Sequence, residues 1–133
     1  MKFMLDTNIC IELIRRRSPN ILLRLQQCSP GDVGMSSITL AELEFGVHKS
    51  RMPDRNKLAL AEFAAPLEIL TFDDLAAASY GELRALLERQ GQPIGSMDTL
   101  IAAHALSRGL TLVTNNEREF RRVPGLRITN WAG

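Results

Sequence analysis

The chain has 133 residues, 45% of them hydrophobic and 23% charged, with a formal net charge of +1. This length and balance fit one folded domain with its own core and exclude a disordered or low-complexity chain. No apolar run is long enough for a transmembrane helix, and Asp6 and Glu12 interrupt any secretory apolar region, so a cytoplasmic protein is expected.

In chain order, residues 2–5 (KFML) read as a buried strand. Residues 7–16 read as a helix with Ile9, Leu13 and Ile14 on one face, ended by Ser18–Pro19. A second short helix is expected over 21–27, closed by Ser29, Pro30 and Gly31, and a strand over 33–35. Ser36 and Ser37 lead into a helix from about 39 to 49, followed by a helix over 54–64 and a strand over 67–70. A long helix spans 73–89 with Asp73 or Asp74 near its start, and residues 91–95 form a loop. Residues 97–107 are helical up to the stop at Gly109. A strand follows over 111–114, then a loop or short helix, then a late strand over 126–128. Strands alternating with helices predict an α/β domain with a mostly parallel sheet. Cys10 and Cys28 form no CxxC pair and share no zinc-ligand spacing with His48 and His104, so reduced thiols are expected. The only lysines are Lys2, Lys49 and Lys57. Arginine carries the rest of the positive charge, with clusters at Arg15–Arg16–Arg17 and at Arg118, Arg121 and Arg122. These suit bidentate phosphate contacts, or simply solvated helix faces.

In open α/β sheets ligands gather outside the carboxyl ends of the strands, and Asp6 follows the first strand onto that edge. It is equally a good helix N-cap. Glu42 lies in SSITLAELEFG, where Thr39 and Glu42 also fit a capping box, while Glu44, two residues on, points to another face. Asp98 lies in PIGSMDTLIAAHALSRG. With Ser96 as N-cap it falls in the first helical turn, which favours a negative charge. A very apolar helix follows, and a covered helix end would normally avoid an acid. TNNEREF places the oxygens of Asn115, Asn116, Glu117 and Glu119 at the same edge, or builds an Asn-based turn and a one-turn helix. Taken together, Asp6, Glu42 and Asp98 stand at helix starts that could converge on one edge. Such carboxylates repel unless a proton or cation lies between them. With no lysine after Lys57, a hard divalent cation, Mg²⁺ or Mn²⁺, is the natural partner. It would polarise a phosphoryl oxygen and activate a water, which predicts phosphodiester hydrolysis.

Four segments, FMLDTNICIEL, SSITLAELEFG, IGSMDTLIAAHAL and LVTNNEREFRRVPGLRITNW, nearly span the chain. Through them it resembles the PIN-domain ribonucleases and, among them, the VapC toxins of bacterial toxin–antitoxin pairs. The resemblance implies a single PIN-like α/β domain over 1–133, with a central mostly parallel sheet of four to five strands flanked by helices. It maps the family's core acids, as catalytic and metal-holding groups, onto Asp6, Glu42 and Asp98. At the fourth position, where the family often carries an acid, this chain has Asn116. That residue offers a carbonyl oxygen but no charge, and Glu119 one short turn later is the alternative, so one-metal and two-metal sites both stay open. Thr7, Asn8 and Thr114 would orient the carboxylates or a bound water.

The implied activity is that of a Mg²⁺-dependent (or Mn²⁺-dependent) endoribonuclease cutting single-stranded loops of structured RNA. A tRNA anticodon stem-loop is the expected substrate, initiator tRNA the leading candidate, and inhibition of translation the consequence. Water would attack phosphorus in line and the 3′ oxygen would leave. The implied partners are a second copy of the chain, giving a homodimer, and a VapB-like antitoxin that sets an Arg or Lys among the acids; no membrane is involved. Arg15, Arg16, Arg17, Lys49 and Arg51 are the candidate RNA contacts, of a kind that supplies affinity and salt dependence rather than sequence choice. With aromatic residues at 5%, no stacking platform for bases is evident. His104 reads as a core histidine. The turn at Met52, Pro53 and Asp54 could serve dimerisation or antitoxin docking. Phosphatases of the haloacid dehalogenase type need Asp-x-Asp where this chain has Asp6–Thr7–Asn8, and both they and receiver domains need a late lysine. P-loop and Rossmann fingerprints are absent. The remaining alternative is a catalytically weak PIN domain acting as an RNA- or protein-binding module.

Overall fold

In the computed structural model, which describes residues 1–133, strands and helices alternate as the apolar pattern predicts. They are β1 (Phe3–Leu5), α1 (Thr7–Ile14), α2 (Pro19–Gln26), β2 (Val33–Ser36), α3 (Ser37–Lys49) and α4 (Pro53–Ala64). Then come β3 (Glu68–Leu70), α5 (Asp74–Arg89), α6 (Ser96–Arg108), β4 (Thr111–Val113), α7 (Glu117–Phe120) and β5 (Ile128–Thr129). The five strands form one sheet in the order β3-β2-β1-β4-β5, and every pairing is parallel. No helix is long and apolar enough to cross a membrane.

A parallel sheet is covered on both faces, so its strands read as unbroken apolar runs. Successive residues then serve opposite faces. Met4 and Leu112 join a core with Leu83, Leu87, Ile101 and Phe120, from α5, α6 and α7. Their neighbours Leu5 and Val113 join the other core with Ile9, Leu13, Met35, Leu43 and Leu60. Gly34 is required where β2 meets β3, because a Cβ there would stand 2.6 Å from the Glu68 carbonyl oxygen. The strand order reverses between β1 and β4, the place where open parallel sheets leave a crevice. Asp6 follows β1 there, Thr114 follows β4, and the Asp6 N–H donates to Val113 O at 3.1 Å.

Several boundaries differ from the sequence reading, each for a local reason. α1 ends at Ile14, because Arg16 adopts a left-handed φ of 54° and the N–H groups of Arg16 and Arg17 bond back to Leu13 O and Glu12 O. This is the usual glycine-type helix stop, made here without a glycine. Ser18 and Pro19 therefore open α2, with Ser18 as its N-cap. α3 starts at Ser37 with Ser36 as N-cap, accepting from Ile38 N–H at 3.1 Å. Thr39 then lies inside the helix and forms no capping box with Glu42. The N-cap of α6 is Gly95, not Ser96. The late strand shifts to residues 128–129 because Gly125, at φ 79°, turns the chain and Leu126 N–H bonds to Val123 O.

Candidate active site

The carboxyl edge of the sheet gathers the acids. Asp6, 3% exposed, caps α1: its Oδ1 accepts from Ile9 N–H at 2.8 Å. Asp6 is thus an N-cap, and the same side chain also lies within reach of the Glu42 charge. Burial pushes the Asp6 carboxyl up, the hydrogen bonds from Thr114 and Ile9 pull it down, and Glu42 pushes it up again. Glu42 leaves α3 toward α1, where the Thr7 hydroxyl donates to its Oε1 at 2.6 Å. The hydroxyl of Thr39, fully buried, lies 3.3 Å from Thr7 Oγ1 and backs that contact. Sequence reasoning missed Thr39, because its place in S/T-x-x-E hid it as a cap.

Asp98 occupies the first turn of α6. Its carboxyl is pushed up to about 6, first by burial and then by Glu119, Asp6 and Glu42. Four carboxylates therefore share one field, and none of them forms an ion pair; the salt bridges of the chain involve Asp32, Glu88 and Glu117. Glu44 is absent from the charges that Asp6 and Asp98 feel. The one cation acting on this cluster is Arg122, whose charge Glu119 feels; concentrated negative charge of this kind is what a divalent cation relieves. No three of these acids stand close enough to form a ready-made cage, so a cation bound among them would keep part of its water shell or draw the carboxylates inward.

Asn116 and Glu119, the two alternatives for the fourth position, are hydrogen-bonded to each other. Asn116 Nδ2 donates to Glu119 Oε2, and Glu119 Oε1 accepts from the Gly95 N–H at 2.9 Å. These bonds, the Gly95 one foremost, hold the Glu119 carboxyl below its ordinary range. Glu117 is engaged elsewhere, with Arg121 and Asn130. Thr114 is fully buried beside Asp6, and its Oγ1 accepts from Asn116 N–H at 2.9 Å. Asn8 is exposed, and its side chain makes no hydrogen bond to an acid; it reaches Asp6 through its backbone. Asn115 is exposed as well. His104 is fully buried, with Nδ1 2.8 Å from Ser36 Oγ and its ring edge-on to Phe72, and touches none of the acids.

From the acids a groove of about 800 Å³ runs between α1, α3 and α4. Thr7, Asn8, Arg15, Glu42, Phe45, Lys49 and Leu60 are among the residues that line it. Arg16 and Arg17 sit on the exposed turn after α1, and Arg51 on the exposed turn between α3 and α4. Cys10 and Cys28 are free thiols.

The sequence matches the PIN domain family over residues 3–126. It is 47% identical over 132 residues to the tRNA(fMet)-specific endonuclease VapC of Shigella flexneri, covering 99% of both chains. It is 49% identical over 131 residues to ribonuclease VapC2 of Haemophilus influenzae strain Rd, covering 98% of both. Among solved structures, DNA-bound VapBC from Salmonella typhimurium superposes with a TM-score of 0.94 at 47% identity, covering 98% of each chain.

Proposed function

Because this chain belongs to the PIN-domain family, among the VapC ribonucleases, we propose that it is a divalent-cation-dependent endoribonuclease and the toxin of a toxin–antitoxin pair. One observation carries the cation reading: Asp98 stands in the field of Asp6, Glu42 and Glu119, and none of Asp6, Glu42 and Asp98 forms an ion pair with a basic side chain. Asp6, Glu42 and Asp98 are the residues that would hold Mg²⁺ or Mn²⁺. When bound, that cation polarises a phosphoryl oxygen and lowers the pKa of a water at the scissile phosphate.

The chain's own residues do the rest. The Thr7 hydroxyl fixes which face of Glu42 is presented, and Ile9 N–H holds one oxygen of Asp6 so that the carboxylate cannot swing. Thr114 steadies the same carboxylate. Arg15, Lys49 and, from the flanking turns, Arg16, Arg17 and Arg51 meet the phosphates of the RNA as it approaches. His104 takes no part, since it is sealed in the core.

The name of the Shigella flexneri relative supports initiator tRNA as the substrate, and this reading places the cut in its anticodon stem-loop. The VapBC assemblies among the structural neighbours support a VapB-like antitoxin partner. The reading also takes the chain as one PIN domain over 1–133 that acts in the cytoplasm as a homodimer. The test is cleavage of initiator and elongator methionine tRNAs by purified protein freed of antitoxin. The expected result is one discrete cut in initiator tRNA that leaves a 5′-phosphate and persists in His48→Ala. A 2′,3′-cyclic phosphate product would instead mean attack by the 2′-OH and end this mechanism. Tight RNA binding without any cut would favour the binding-module reading.

A further inference from the structure

The loop that delivers Asp98 is gripped from outside its own helix. α6 begins at Gly95 with no side-chain cap; Thr99 donates to the Gly95 carbonyl from both its N–H and its hydroxyl, and the Gly95 N–H is left for a partner from elsewhere. Two groups from the α7 turn supply what is missing. Glu119 Oε1 accepts from Gly95 N–H at 2.9 Å, and Arg122 Nη1 donates to Pro93 O at 3.0 Å. Glu119 is itself held by the Asn116 amide. Asn116 is fixed in turn, because its backbone N–H donates to Thr114 Oγ1 at the end of β4. The chain of contacts therefore runs from the sheet edge, through Asn116 and Glu119, to the first turn of α6. Gly95 also lies between the acids: a Cβ there would stand 3.6 Å from Asp98 Oδ2 and 3.9 Å from Glu119 Oε1.

We propose that Glu119 is a positioning residue rather than a cation ligand. With Asn116 and Arg122 it clamps the 91–95 loop and sets where Asp98 stands relative to Asp6 and Glu42. Each of its oxygens accepts from a donor that fixes its orientation, one of them the Gly95 N–H at the start of the helix that carries Asp98. The Asn at 116, in place of an acid, then has a function: an amide can donate to Glu119, whereas a carboxylate there would repel it. This inference rests on the assignment of Asp6, Glu42 and Asp98 as the cation-holding acids.

Glu119→Gln separates the two roles, because glutamine keeps an acceptor for Gly95 N–H and removes the charge. Asn116 can turn its amide to match. Two readouts are taken on the full chain: amide hydrogen exchange at Gly95, and Mn²⁺ affinity by electron paramagnetic resonance, with Asp98→Asn as the reference for a lost ligand. Glu119→Ala is expected to speed exchange at Gly95 by on the order of tenfold or more, as a freed amide does. It is also expected to weaken Mn²⁺ by about 10–100-fold, the usual cost of losing a group that orients a ligand. Glu119→Gln is expected to keep the slow exchange and recover most of that affinity. If Gln and Ala weaken Mn²⁺ equally, and as much as Asp98→Asn does, Glu119 is a ligand and the proposal fails. Unchanged exchange at Gly95 in Glu119→Ala would remove the clamp itself. If the wild type binds no Mn²⁺ at all, the cation reading has failed, and Gly95 exchange alone then decides the clamp.

Discussion

Replacing Asp98 by Asn removes one charge from a cluster of four, and the sign of its effect on stability depends on pH. Asp98 ionises at about 6 in the folded protein against an ordinary 3.8, first because it is buried and then because Glu119, Asp6 and Glu42 surround it. The folded state thus holds this proton more tightly than the unfolded state does. The stability it brings is fully present below about 3.8 and is lost as pH rises through about 6. The displacement of about two pH units corresponds to roughly 3 kcal/mol, at about 1.4 kcal/mol per unit. Asp98 is only partly buried, so solvent screening reduces this to about 1–2 kcal/mol. The asparagine side chain that replaces it never ionises. Cation-free Asp98→Asn is therefore expected to be more stable than wild type by about 1–2 kcal/mol at pH 8, with the gap closing toward pH 4.5. Urea unfolding in EDTA at the two pH values measures it. Added Mn²⁺ should then stabilise the wild type and leave the variant nearly unchanged, because only binding to the native state shifts the equilibrium. A variant less stable than wild type at pH 8, or a gap of the same size at both pH values, would refute the reasoning about the shared field.

Other expectations follow from single contacts. Thr7→Val removes the 2.6 Å hydrogen bond to Glu42 and is expected to lower kcat/KM by about 10–100-fold with little change in unfolding midpoint; steady-state cleavage and denaturation check both. Gly34→Ala forces a Cβ against the Glu68 carbonyl oxygen at the β2–β3 pairing and is expected to destabilise by about 1–3 kcal/mol in chemical unfolding. Arg15→Ala and Lys49→Ala are each expected to reduce the salt dependence of RNA binding by about 0.7 in slope, without changing the cut site. RNA binding that loses no salt dependence in the double variant would move the phosphate path away from this groove.

Much of this arrangement is legible in the sequence, because it depends on local pattern. KFML followed by Asp6, and TLV followed by Thr114, announce strands that end on polar groups, and a parallel sheet brings those ends to one edge. Asp98 and Glu42 are legible for the same reason, since each lies in the first or second turn of a helix that leaves the edge. Helix starts are less legible. Ser36, Ser37 and Thr39 can all cap; Ser36 does so, while Ser37 Oγ accepts from Phe72 N–H and Thr39 meets Thr7, distant contacts that leave no local pattern. Arg16 hides the end of α1, because the left-handed stop usually carries glycine. The bond from Glu119 to Gly95 joins residues 24 apart and leaves no periodic trace, so the sequence offers Asn116 and Glu119 only as alternatives. The same holds for Arg122, which reads as one of a cluster of arginines and turns out to grip the Pro93 carbonyl.

The central claim is that Asp6, Glu42 and Asp98 together hold a divalent cation. The most direct test is an anomalous difference map at the manganese edge, from crystals of the antitoxin-free protein grown with Mn²⁺. The account predicts a peak in contact with these carboxylates, lost in Asp6→Ala crystals of the same form. A well-ordered site without a peak, or a peak only at other acids, would contradict it.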